Sequence, residues 1–143
     1  MRVVLDSSAL VAVLLREPDA ALFNAALLTA AETALSTVNM LEARTVLHAR
    51  KGAEAVAEFD GLITRLGTEI VAFDQAQSDT AYAAYQRFGK GFNSKARLNL
   101  GDCAAYALSK TTLAPLLFKG ADFHHTDVTP ALPLLVPDAG DRM

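Results

Sequence analysis

The sequence predicts an α/β fold of three layers, with helices on both faces of a central, mainly parallel sheet. Two observations predict it. Short β-branched or leucine-rich runs alternate with longer segments of helical period along the whole chain, which is the pattern of repeated strand–helix–strand crossovers. No repeat, linker or break in composition divides the 143 residues, so one domain is expected; a chain of this size buries roughly 68–70% of its unfolded surface. Apolar residues make up 52% and Pro plus Gly only 13 of the total, which excludes disordered and low-complexity classes.

The first strand is Arg2–Leu5, closed by Asp6-Ser7-Ser8, and residues 9–15 continue as helix. Pro18 suits the first turn of a second helix reaching about residue 28. Leu35-Ser36-Thr37 reads as a short strand feeding a helix to about Lys51, with Gly52 as its stop. Val56, Phe59, Ile63 and Leu66 recur at near-helical intervals before Gly67, and Ile70-Val71-Ala72-Phe73 is the next strand. Asp74 or Ser78 caps a helix containing Ala81, Tyr82 and Tyr85, after which Gly89 and Gly91 open a surface connection. Asn99-Leu100-Gly101-Asp102 introduces an Ala-rich helix to about Lys110. Pro115-Leu116-Leu117-Phe118 is a buried strand, and Leu134-Leu135-Val136, bounded by prolines, is expected to add a short edge strand.

A formal charge of −3 argues by itself against a polyanion partner. Its distribution argues otherwise. Residues 80–101 contain no Asp or Glu, while Arg87, Lys90, Lys95 and Arg97 place +4 there and leave −7 on the remainder. That separation suits a protein holding phosphates on one surface and metal ions in an acidic pocket. These four cations are candidate phosphate contacts, with Phe88 or Phe92 available to stack on an unpaired base; the alternative is a solvated loop with core aromatics. Lys119 either contacts phosphate or screens the acids.

Ligands of open parallel sheets bind beyond the carboxyl ends of the strands. Asp6 and Asp122 follow strands, Asp102 opens a helix after a glycine-containing turn, and Glu42 lies in the first turns of the helix after the Leu35 strand. All four can point to one edge. Neighbouring carboxylates repel unless a cation or proton neutralises them, and hard divalent ions prefer oxygen ligands. Such an ion can activate water and orient a phosphodiester for in-line displacement. Taken singly, Asp6 and Asp102 could cap helices, Glu42 could lie on a solvated face and Asp122 could shape a turn; the ordered set carries the inference. Cys103 is expected to be a small buried hydrophobe, and His48, His124 and His125 do not form a zinc spacing with it.

Four stretches carry a family resemblance: Val4-Leu5-Asp6-Ser7-Ser8-Ala9-Leu10, Leu41-Glu42, Leu98-Asn99-Leu100-Gly101-Asp102-Cys103-Ala104-Ala105-Tyr106-Ala107, and Leu116-Leu117-Phe118-Lys119-Gly120-Ala121-Asp122-Phe123. Over nearly the whole chain the sequence resembles PIN-domain ribonucleases, especially the VapC toxins of bacterial toxin–antitoxin pairs. The resemblance implies a single PIN domain over residues 1–143 with a PIN-like α/β/α fold. It implies that Asp6, Glu42, Asp102 and Asp122 hold Mg²⁺, with Mn²⁺ as a substitute, and that RNA phosphodiester bonds are hydrolysed by a metal-activated water. Ser8 then supports the site by hydrogen bonding to an acid or a bound water, while Ser7 is a candidate cap for the first helix. Asn99 either positions phosphate or stabilises the turn before Asp102. Asp127 is either a fifth acid or a cap near Thr126 and Thr129. The partners implied are an RNA substrate, a VapB-like antitoxin whose C-terminal segment covers the cleft, and a second copy in a homodimer.

Three other functional classes stand beside that reading: a stand-alone RNA-processing nuclease, a noncatalytic RNA-binding module on the same scaffold, and a phosphate-accepting receiver. Lys119 fits a receiver superficially, but there is no acceptor Asp after a central strand. The lone cysteine, the absence of a secretory apolar segment at Arg2–Leu5 and the lack of an apolar run near ~20 residues predict a cytoplasmic location without a membrane span.

Overall fold

Val3, Val4 and Leu5 are wholly buried, and a strand with no polar face belongs at the centre of a sheet covered on both sides. The structure is a computed structural model describing residues 1–91 and 94–138. In it, β1 (Arg2–Leu5) pairs in parallel with β2 (Glu32–Ser36) on one side and with β4 (Leu116–Leu117) on the other. β3 (Glu69–Val71) adds in parallel to β2, giving the order β3-β2-β1-β4. The expected mainly parallel sheet is parallel at every pairing among the described residues.

The pleat of β1 divides the core in two. Val3 and Leu5 enter one cluster with residues of α1 (Ser7–Leu14), α2 (Ala20–Thr29), α3 (Thr37–Lys51) and α4 (Ala53–Leu66), centred on Leu10, Phe23, Leu47 and Phe59. Val4 points the other way, into a cluster with Ala81 and Ala84 of α5 (Gln75–Phe88) and Cys103, Ala105 and Leu108 of α6 (Leu100–Thr112). Successive strand side chains alternate between faces, so one short strand anchors both helical layers. Small residues on α6 let it lie close to the sheet; its residues from Cys103 to Ser109 are all buried.

The end of the chain differs from the sequence expectation. Residues 134–136 are not an edge strand: Leu132–Leu135 form a short helix, α7, with Pro133 in its first turn. A proline there removes an N–H that a helix start leaves unpaired anyway. The place beside β4 is already taken, because Leu116 donates to the Thr129 carbonyl and accepts from the Ala131 N–H, each at 2.9 Å. Among the described residues, no helix is long and apolar enough to cross a membrane.

Candidate active site

Asp6 is the first residue beyond β1 and the N-cap of α1. Its Oδ2 accepts the Ser8 N–H at 3.1 Å and the Ser8 hydroxyl. That hydroxyl in turn accepts the Lys119 N–H at 3.0 Å, so Ser8 ties the end of β1 to the loop after β4. The other oxygen, Oδ1, is buried with no hydrogen-bond partner. Burial pushes the Asp6 carboxyl up to about 7, and the charges of Asp102 and Glu42 add to that rise against the lowering effect of the Ser8 hydrogen bonds.

Glu42 reaches the same place from α3. Its Oε1 accepts the Ser7 hydroxyl and, at 3.5 Å, Asn39 Nδ2, which sits one helical turn earlier on the same face. Asn39 is fully buried and also donates to the Gly101 carbonyl at 2.9 Å, fastening α3 to the start of α6. Gly101 is a glycine for a steric reason: a Cβ there would strike the Glu42 carboxylate. Removing that one carbon lets Glu42 come up beside the residue preceding Asp102.

Asp102 is the third residue of α6 and half of a reciprocal cap. Asn99 Oδ1 accepts the Asp102 N–H at 2.9 Å, and Asp102 Oδ2 accepts the Asn99 N–H at 3.0 Å. Burial raises the Asp102 carboxyl to about 6, the Asn99 N–H works against this, and the charges of Glu42 and Asp122 reinforce it. Asp122 is exposed at the start of the 3₁₀ turn Asp122–His125, after β4. Asp6, Glu42 and Asp102 therefore influence one another at the carboxyl edge of the sheet, and Asp122 acts on Asp102, each acid delivered by a different element.

Among the described residues, no three His, Cys, Asp or Glu side chains already stand in a closed ligand set. Ser7, Ser8, Asn39 and the Asn99 N–H instead hold three of the carboxylates individually. The donor set still fits a hard divalent cation: all-oxygen, with an unpartnered Asp6 Oδ1 whose burial costs free energy until a cation or proton meets it. Three residues of this machinery escaped the sequence reading. Ser7 holds Glu42 rather than capping α1, Asn39 links two acidic elements, and Gly101 makes room. The spacing of Asn39 and Glu42 on one helix face was the only local sign.

Of the supporting and basic candidates, Ser8 touches the site as expected, and Asn99 takes the turn-stabilising of its two expected roles. Asp127 is neither a fifth acid nor a cap. It accepts the Tyr106 hydroxyl at 2.5 Å and pairs with Lys110 at 3.3 Å, beside Met1 and Pro115 at the opposite, amino end of the sheet. Burial works against its charge, but Tyr106 and Lys110 together hold its pKa below the ordinary carboxylate value. Arg87 lies 3.7 Å from Asp127 and 4.6 Å over the Phe88 ring, with its side chain still exposed. Phe88 itself packs on Tyr106 with ring centroids 5.7 Å apart, and Phe92 lies outside the described residues. Lys90, Lys95 and Arg97 are exposed and enter no ion pair among the described residues. Lys119 pairs with Glu17 at 3.0 Å and Asp19 at 3.1 Å rather than with any of the four site acids. Cys103 is buried and its thiol pushed up to about 11 by burial and the Asp102 charge, which keeps it protonated.

Residues 3–128 match the PIN domain family. Ribonuclease VapC30 of Mycobacterium tuberculosis is 47% identical over 131 residues, spanning 91% of this chain and 99% of that protein. Two solved structures share the fold. The toxin VapC20 of M. tuberculosis, described as cleaving the sarcin–ricin loop, has a TM-score of 0.76 at 12% identity, covering 89% of this chain and 96% of its own. VapBC2 of Rickettsia felis, bound to a promoter DNA fragment, has a TM-score of 0.70 at 16% identity, covering 91% and 96%.

Proposed function

The chain belongs to the PIN domain family, and from that premise we propose that it is a VapC-type endoribonuclease, the toxin of a type II toxin–antitoxin pair, that needs Mg²⁺ or Mn²⁺. The observation that carries this is the mutual influence of Asp6, Glu42 and Asp102 at the carboxyl edge of the sheet, with one Asp6 oxygen buried and unpartnered and Asp122 acting on Asp102 from the exposed side. The likeness to ribonuclease VapC30 supports the choice of substrate.

Asp6, Glu42 and Asp102 would hold the ion, with Asp122 completing the set from the exposed side. Bound Mg²⁺ or Mn²⁺ would activate a water near neutral pH and offset charge on the phosphate and leaving oxygen. The chain's own part is orientation and charge. Ser8 fixes Asp6 through Oδ2 and so turns Oδ1 inward, Ser7 and Asn39 aim Glu42, and the Asn99–Asp102 cap fixes the third carboxylate. Lys90, Lys95 and Arg97 lie on the approach to α6, where they can hold the substrate's phosphates. The Ser7 and Ser8 hydroxyls are engaged with Glu42 and Asp6, and the Cys103 thiol is buried and protonated, so direct attack by water is the route these residues favour.

The same reading includes a VapB-like antitoxin that covers the cleft, a homodimer and a cytoplasmic location. It is tested with purified protein and single-stranded or loop RNA. Cleavage is expected with Mg²⁺ or Mn²⁺ and is abolished by chelation and by Asp6→Asn or Asp102→Asn, with circular dichroism unchanged. Cleavage that persists in both variants, after contaminating nuclease is excluded, overturns it. Growth arrest on induction, relieved by the product of a neighbouring small open reading frame, separates a toxin from a stand-alone processing enzyme.

A further inference from the structure

Beside the carboxylates, and unused by them, lies a groove of about 580 Å³ walled by Phe73, Tyr82, Tyr85, Leu98, Leu100 and Cys103. Its volume is that of a small-ligand site. One end is the first turn of α6: Asn99 and Leu100 line the groove, while Asn99 is also the cap of Asp102. A ligand in the groove is thus separated from the acid cluster by a single helical turn.

Its exposed surface is aromatic and aliphatic. Tyr82 is 62% exposed and Leu100 80%. Single exposed apolar residues are ordinary, but here they share one concave surface. The Tyr85 ring lies over Gly89, where a Cβ would overlap it, so the glycine leaves that ring room at the groove wall. At the rim stands Lys90, exposed and without an ion pair among the described residues. Aromatic faces with a cation at the edge match an unpaired nucleobase and its phosphate: every base has a π-face, and stacking on an aromatic side chain contributes roughly 1–3 kcal/mol per base.

We propose that this groove is a nucleobase subsite: a base flanking the cut phosphodiester unstacks and lies against Tyr82 and Tyr85, while Lys90 holds the adjoining phosphate. The proposal rests on the ribonuclease reading and adds where the strand lies. The aromatic contact moves from Phe88, which is engaged with Tyr106 and Arg87, to the tyrosines of the same helix. Continuity with the Asp102 turn, and a Lys90 that enters no ion pair among the described residues, favour a nucleic-acid strand with its phosphates over a second copy of this acidic chain.

The test measures binding of fluorescein-labelled oligouridylate, oligocytidylate and oligoadenylate in the presence of chelator, and cleavage of the best of them with Mn²⁺. Tyr82→Ala is expected to weaken binding of at least one oligonucleotide about tenfold, with KM raised and kcat retained. Tyr82→Phe keeps the affinity, and an abasic position in the oligonucleotide removes the difference between wild type and Tyr82→Ala. Mn²⁺ affinity by calorimetry stays at the wild-type value. If Tyr82→Ala and Leu100→Ala bind and cleave as wild type does while Asp102→Asn has lost cleavage, the subsite is wrong and the ribonuclease reading survives. Variants that change only the oligomeric state, with RNA affinity intact, assign the groove to self-association and also overturn the proposal. Wild-type protein that neither binds nor cleaves RNA removes both readings together.

Discussion

At the scale of single residues, the acid site depends on side chains that carry no charge. Gly101 exists so that Glu42 can lie against it, and Gly101→Ala is expected to lower kcat by about a hundredfold, because displacing a positioned group by an ångström costs that much. Its thermal midpoint should move far less than its activity; equal losses in both would mean that the glycine serves packing alone. Asn39 is a different case. Its Nδ2 satisfies the buried Gly101 carbonyl across 62 positions of sequence, so Asn39→Ala should destabilise the protein by about 1–3 kcal/mol in urea titration. A change below a few tenths would place that hydrogen bond outside the folded ensemble.

Among the elements, α6 is where fold and chemistry are hardest to separate. Asn99 and Asp102 cap it reciprocally, so one carboxylate serves both the helix start and the acid cluster. Asn99→Ala removes the side-chain acceptor of the Asp102 N–H but keeps the backbone N–H that holds the Asp102 carboxylate. It is expected to cost about 1 kcal/mol of stability and to lower cleavage less than loss of an acidic ligand would, whereas Asn99→Ser, which can still accept the Asp102 N–H, should recover most of the stability. The strand–helix order up to β4 was readable because each element carries its own period, cap and stop. α7 was not: Leu134-Leu135-Val136 is too short for periodicity to distinguish strand from helical turn. The pairing of β4 with residues 129–131, which no local pattern announces, decided it.

For the molecule as a whole, the acid cluster links stability to pH and to metal. The folded protein holds Asp6 at about 7 and Asp102 at about 6, both above the ordinary 3.8, so it binds protons more tightly than the unfolded chain between those values. This contribution is fully present below about pH 4 and is lost as pH rises through 6 to 7. Asp127, held low by Tyr106 and Lys110, acts in the opposite sense and loses its contribution only as pH falls below the usual carboxylate range. In chelator, the melting temperature should therefore rise as pH is lowered from 8 to 5.5. Saturating Mn²⁺ should raise it more at pH 8 than at 5.5, because protons and metal compete for the same oxygens. A chelated protein whose stability is flat across that range contradicts the burial of Asp6.

The alternating α/β order and the parallel sheet were legible in the chain because they rest on periodicity, turn residues and short motifs that act within a few positions, and the same motifs singled out four candidate acids. The neighbours of those acids came from long-range packing that no local motif carries. Ser7 and Asn39 became supports of Glu42, Gly101 became the space it occupies, and Arg87 and Asp127 were drawn to the far end of the sheet. The reason is physical: a side chain's charge or hydrogen-bonding capacity is written in its identity, but its partner is whichever group the packing of β1 against both helical layers brings within about 3 Å.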